Sequence, residues 1–147
     1  MNSKLADVAL EKELRRIAEA AVIYAGEGEE LAGIVPAEPG SGARLYVCAY
    51  REGEETSWLV LDAGGAPVDD RALVRDAVSI AGLVELAEEA AGVPAPEEPR
   101  VATAAQLDAL GTETDDPQAF VGAMKGATET VEELVRDVER GYKRPLS

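Results

Sequence analysis

Apolar residues recur every three or four positions at both ends of this chain, and every one or two positions in between. Near the N-terminus Leu10, Leu14, Ile17, Ala21 and Tyr24 share one helical face, while Glu11, Lys12, Arg15, Arg16 and Glu19 occupy the other. The spacing predicts an amphipathic helix over about residues 3–25, stopped by Gly26 and Gly28. The pattern then shortens. Residues 31–35 form a first strand, ended by Pro36; residues 44–51 (RLYVCAYR) form a second; residues 57–62 (SWLVLD) form a third. The second is apolar on both faces, with Leu45, Val47 and Ala49 on one and Tyr46, Cys48 and Tyr50 on the other. The short turns between them favour antiparallel pairing, because parallel strands need a long crossover.

Beyond the turn at residues 63–67 the helical period returns. Asp69 is the expected N-cap of a helix over about residues 70–91. Its polar residues form a narrow stripe of Arg75, Ser79, Gly82, Glu85 and Glu89, and apolar residues fill most of the remaining circumference. A helix on the surface of a domain shows a narrower apolar face. This one is expected to be covered on two sides, by the sheet and by another helix or a second subunit; in the second case Val74, Val78, Ile80 and Val84 are candidates for a homodimer seam. Residues 92–101 form a proline-rich connector, extended and poor in donors. A C-terminal helical segment follows over about residues 103–141. It holds a short helix with a capping box at Thr103 and Gln106, and Gly111 at its C′ position. A last helix opens at Asp116-Pro117 and carries the stripe Phe120, Met124, Ala127, Val131, Leu134 and Val138. The expected fold is one α+β domain: an N-terminal helix, a three-stranded antiparallel sheet, then a long helix and a C-terminal helical segment packed on the sheet.

Composition narrows the chemistry. The 147 residues include no histidine, one cysteine and a net charge of -15. The absence of histidine removes Ser-His-Asp and Cys-His catalysis and all His-containing metal sites. The negative charge argues against nucleic-acid phosphates and anionic membranes as partners. Without an apolar run of signal-peptide or membrane-span type, the expected protein is soluble and cytoplasmic.

Few residues suggest a site. The glycines at 64–65 match no phosphate-binding loop. Asp62, Asp69 and Asp70, and likewise Glu113, Asp115 and Asp116, are carboxylate groups more simply read as caps and turns than as cation ligands. Cys48 sits mid-strand as a structural thiol. No metal site and no cofactor is expected. Tyr46, Tyr50 and Trp58 stand out in a chain that is only 4% aromatic. They are candidate walls of a ligand or partner site, with Arg44 and Arg51 as polar anchors.

The leading reading is a non-enzymatic protein-interaction domain, homodimeric or bound to another protein. The alternative is a small-molecule sensor with a pocket between the sheet and the 70–91 helix. Carboxylate or metal-dependent catalysis is a further reading, without a recognised motif behind it. A helix preceding three antiparallel strands in a small acidic chain is similar in layout to the acidic chaperones of secreted substrates. Those proteins are dimeric, and the likeness implies a chaperone-like adaptor. Their later pair of strands is not evident after residue 92.

Overall fold

A computed structural model describes residues 3–39, 43–92, 101–113 and 116–147. The predicted connector falls largely on residues 93–100, outside the described residues. The fold is α+β. Helix α1 (Ser3–Ile23) precedes strands β1 (Glu30–Glu38), β2 (Leu45–Glu52) and β3 (Glu55–Asp62). Helix α2 (Arg71–Ala90), strand β4 (Ala102–Thr103), and helices α3 (Ala104–Glu113) and α4 (Pro117–Arg140) follow.

The sheet has four strands in the order β3-β2-β1-β4, not three. β1, β2 and β3 are antiparallel, as the short turns require. The β2–β3 hairpin closes between Glu52 and Glu55, and Gly53 takes the positive φ (62°) that such a two-residue turn needs at its first position. The extra strand, β4, is two residues long and pairs parallel to β1 at Ala37 and Glu38. Two residues are too few to show a period. β1 also runs through Pro36, where it was expected to stop. Proline is tolerated in a strand where its nitrogen has no ladder bond to make, and the bonding pattern described below turns Pro36 away from β2.

Layers form on both faces. Tyr46, Cys48, Tyr50, Leu59 and Leu61 face α1 and pack with Ile17 and Ala21. Ala37, Leu45 and Val60 face the other way, against Val74, Ala77 and Val78 of α2 and Val131, Val135 and Val138 of α4. Each valine or leucine buried in this way contributes roughly 1.5–3 kcal/mol. α4 packs along α2, and Gly82 permits the approach: a Cβ there would lie 3.1 Å from Val131 Cγ2. Gly82 therefore belongs to a helix–helix contact and not to a solvated stripe.

This packing corrects the expected seam on α2. Val74 is 0% exposed, Val78 2% and Val84 6%, all within one copy of the chain, and Ile80 is half-buried against the same core. The wide apolar face is covered by the chain's own sheet on one side and its own α4 on the other.

Caps account for several carboxylates. Asp70, not Asp69, caps α2 and accepts from Ala72 N and Leu73 N. Asp69 instead binds Arg144. Asp116 caps α4 through Ala119 N, and Thr103 and Gln106 form the expected box. α3 continues through Gly111, which is no C-cap; the glycine lets Phe120 of α4 lie against the helix.

Candidate functional site

The two long edges of the sheet differ. On β3 the outward-facing backbone is paired throughout its second half. Trp58 N donates to Gly141 O, and Lys143 N donates to Trp58 O. Val60 N donates to Tyr142 Oη at 3.0 Å, and Val68 N donates to Val60 O. Asp62 N donates to Ala66 O, and Gly65 N donates to Asp62 O. The C-terminal residues 141–147 are thus laced along this edge. Tyr142 Oη also donates to Val68 O at 2.5 Å. Ser147 N donates to Asp69 O, and Arg71 N donates to Ser147 O.

The direction of those bonds fixes the rest of the sheet. If Trp58, Val60 and Asp62 face outward, Leu59 and Leu61 bond to their partners Cys48 and Tyr46. Val47 and Ala49 must then bond toward β1, to Val35 and Gly33. Ile34 and Pro36 are left facing away from β2. β4 takes up only the end of that edge, at Ala37 and Glu38. Among the described residues, nothing pairs with the edge from Glu30 to Val35.

A groove adjoins this open edge. Its floor is Gly33, Val35, Val47, Ala49 and Trp58; its walls are Val78, Ala81 and Glu85 of α2 with Leu134 and Val138 of α4. The cavity is about 440 Å³ and open to solvent along one side. It lies between the sheet and the stretch of α2 that presents Val78, Ala81 and Glu85. Val35, 42% exposed, is one of the few large apolar side chains left uncovered. Arg51 lines the groove and is exposed. Its cross-strand partner is Glu30.

The predicted site residues therefore separate. Trp58 and Arg51 belong to the groove. Tyr46 and Tyr50 lie on the opposite face, fully buried beneath α1, and wall no pocket with Trp58. Tyr50 Oη donates to Ala21 O at 2.6 Å, and burial raises its pKa. Tyr46 Oη is buried with no hydrogen-bond partner. Arg44 is likewise not an anchor of the groove; it ties β2 to Glu38 (2.9 Å) and to Glu13 of α1 (3.5 Å).

The other titratable groups are structural. Burial pushes the Cys48 thiol up to about 12, so it is no thiolate near neutral pH. Asp62 Oδ1 accepts from Gly64 N and Ala66 N, which closes the turn after β3. Glu29 is held down at about 2, first by Lys143, then by Gly26 N and the Ser57 hydroxyl. Lys143 Nζ also lies 4.6 Å from the Tyr50 ring centroid, so the tail reaches around β3 to the α1 face. Among the described residues, no three metal-ligating side chains converge, and no helix is long and apolar enough to cross a membrane.

Sequence reasoning missed Val35, Ala81, Glu85 and Leu134 as groove residues. Each reads as an ordinary strand or helix position, and only the angle of α2 to the sheet exposes them together. Comparison with known proteins finds no matching family model, no similar curated protein and no similar solved structure.

Proposed function

We propose that the chain is a non-enzymatic protein-interaction domain, and that its binding surface is the groove between the sheet and the α2–α4 pair together with the open edge of β1. One observation supports this reading: an apolar cavity runs out onto a strand edge that, from Glu30 to Val35, has no partner among the described residues. Strand edges of this kind accept extended peptides, with main-chain bonds supplying affinity and the neighbouring pockets supplying specificity. The described residues offer no convergent acid, base, nucleophile or metal set beside the groove.

A second reading has its own support. The cavity falls within the roughly 300–1,000 Å³ range of small-molecule sites, and Arg51 is an exposed cation in its lining. A small apolar anion would suit that arrangement.

Trp58 is the only tryptophan and lies on the groove floor, so its fluorescence reports occupancy. Peptides selected by display should shift Trp58 emission and lose affinity for the Ala81→Phe variant, which fills the groove. Thermal stabilisation and a Trp58 shift by a small carboxylate, with no peptide bound, would favour the sensor. Peptides that bind wild type and Ala81→Phe equally would place the interaction elsewhere.

A further inference from the structure

Resting on that reading, we infer that residues 141–147 act as a strap that governs the groove: docked on β3, the segment holds Trp58 in place as the groove floor, and its release lets that floor move. The link runs through one residue that strap and groove share.

Trp58 is that residue. It lies on the groove floor, and its backbone carries the strap. Trp58 N donates to Gly141 O and Lys143 N donates to Trp58 O, both at 3.0 Å. The indole itself leans on the strap. A Cβ at Gly141 would lie 2.8 Å from Trp58 Cζ3 and 2.9 Å from Cε3, so the bare glycine backbone limits how far the ring can move on that side. Val138, on the last turn of α4 before Gly141, lines the groove wall. Floor and wall are thus both positioned where α4 runs into the strap.

The strap is fastened more lightly than the core. None of its residues is fully buried. Tyr142 and Leu146 supply apolar contacts, and the other fasteners are polar. Lys143 binds Glu29 beside the Tyr50 ring, and Arg144 binds Asp69 at 3.0 Å. Ser147 N donates to Asp69 O, and Arg71 N donates to Ser147 O. A segment with few buried apolar contacts opens at lower free energy than the core around it. The Lys143–Glu29 pair sits on the α1 side of the sheet, with Tyr50, and the groove is on the other side. A change of charge at Lys143 reaches the groove floor through the strap.

Occupancy acts in the reverse direction. An occupant resting on the indole braces it against Gly141 and favours the docked strap. By linkage, the docked strap favours the occupant by the same factor.

The test uses the full chain, and its first two readings need no ligand. Lys143→Gln removes the fastening charge; the folded variant should show a shifted Trp58 emission and easier quenching by acrylamide. Lys143→Arg should stay near wild type. Arg140→Gln, which breaks only a pair within α4, should change neither signal. In the other direction, Ala81→Phe fills the groove from α2. It should slow hydrogen exchange of the Lys143 amide by roughly fivefold or more, and the smaller filler Ala81→Leu should slow it less. If both readings stay unchanged in folded variants, the strap inference is overturned, and the groove reading is left to its own peptides. Faster Lys143 exchange in Ala81→Phe would overturn the strap too, because an occupant would then expel the segment. A third reading separates the two claims. Display-selected peptides should bind Lys143→Gln several-fold more weakly than wild type. Equal binding would show that the strap moves Trp58 without governing the site. If the selected peptides ignore Ala81→Phe, the groove reading fails, while the strap's hold on Trp58 stands on the first two readings.

Discussion

The two edges of this sheet receive opposite treatment. Along β3 the last residues of the chain and the turn at 63–68 satisfy the outward N–H and C=O of Trp58, Val60 and Asp62. Along β1, among the described residues, only Ala37 and Glu38 are paired, by a strand of two residues. An unpaired edge is a template for association, and folded proteins usually cover, charge or bulge it. β1 carries a register shift between Leu31 and Gly33, and Pro36 near its other end. These limit the reach of any added strand to a few residues around Ile34. Among the described residues, one edge is closed by the chain's own tail and the other is largely unpaired beside a groove. Substitutions on β3's lacing should therefore destabilise the fold, and substitutions on β1's edge should not.

The largest effect is expected from Tyr142→Ala. The substitution removes a half-buried ring that joins the α4 tail to the sheet, and it leaves Val60 N and Val68 O without their partner. Lost packing and an unpaired backbone donor together should cost about 2–4 kcal/mol, read as a lower urea midpoint. The freed β3 edge should also raise aggregation. A midpoint unchanged from wild type would mean that the lacing is incidental to stability.

A matched glycine pair sharpens the contrast. A Cβ at Gly141 would lie 2.8 Å from Trp58 Cζ3 and 3.1 Å from Thr56 O, whereas a Cβ at Gly33 meets nothing within 4 Å. Gly141→Ala should cost about 1–3 kcal/mol through overpacking and shift Trp58 emission, since the ring must move. Gly33→Ala should change stability by less than about 0.5 kcal/mol. Equal effects at the two sites would show that the edges are not energetically distinct.

Little of this contrast could be read from the sequence, although much of the architecture could. Periodicity placed α1, α2 and α4 because each holds a three-four stripe over many turns, and it placed the strands because their apolar positions are dense and bounded by glycine and proline. The groove's general position, between the sheet and the 70–91 helix, was also legible. The grouping of Tyr46 and Tyr50 with Trp58 was not. The face that Trp58 takes depends on the hairpin register, which pairs it with Ala49 through a two-residue turn; a slip of one residue would send it to the other side. The tail was illegible for another reason. Tyr142 bonds to Val60 across 82 residues, and no local pattern marks such a contact. The apolar circumference of α2 implies two covers, the sheet and another helix or a second subunit, and α4 is that helix.

Titration should weaken the closed edge from both ends of the pH scale. Folding holds Glu29 at about 2 against an ordinary 4.5, chiefly through Lys143 of the tail. The unfolded chain binds this proton first, so the stabilisation is present above pH 4.5 and declines as pH falls toward 2. Glu29→Gln should flatten that limb of the stability curve. At high pH the signs reverse. Burial raises Cys48 from 9.0 and Tyr142 from 10.0, both to about 12. The folded state keeps protons that the unfolded chain releases, so stability is retained below pH 9 and declines as pH rises toward 12. Unfolding midpoints that stay flat above pH 9 would contradict the burial of these two groups.

The smallest effect on stability should come from the open edge, at Val35→Lys. Val35 is 42% exposed and forms part of the groove floor next to Ile34. A lysine there can extend its stem over the apolar floor and keep its ammonium in water, so the urea midpoint should move by less than about 0.5 kcal/mol. The same substitution places an ammonium group at the groove floor, and it should weaken peptide binding there much more than it weakens the fold. Loss of stability without loss of binding would mean that Val35 is core and the β1 edge is not a docking surface. Loss of binding with the fold intact separates the two edges by purpose, with β3 holding the domain together and β1 meeting its partner.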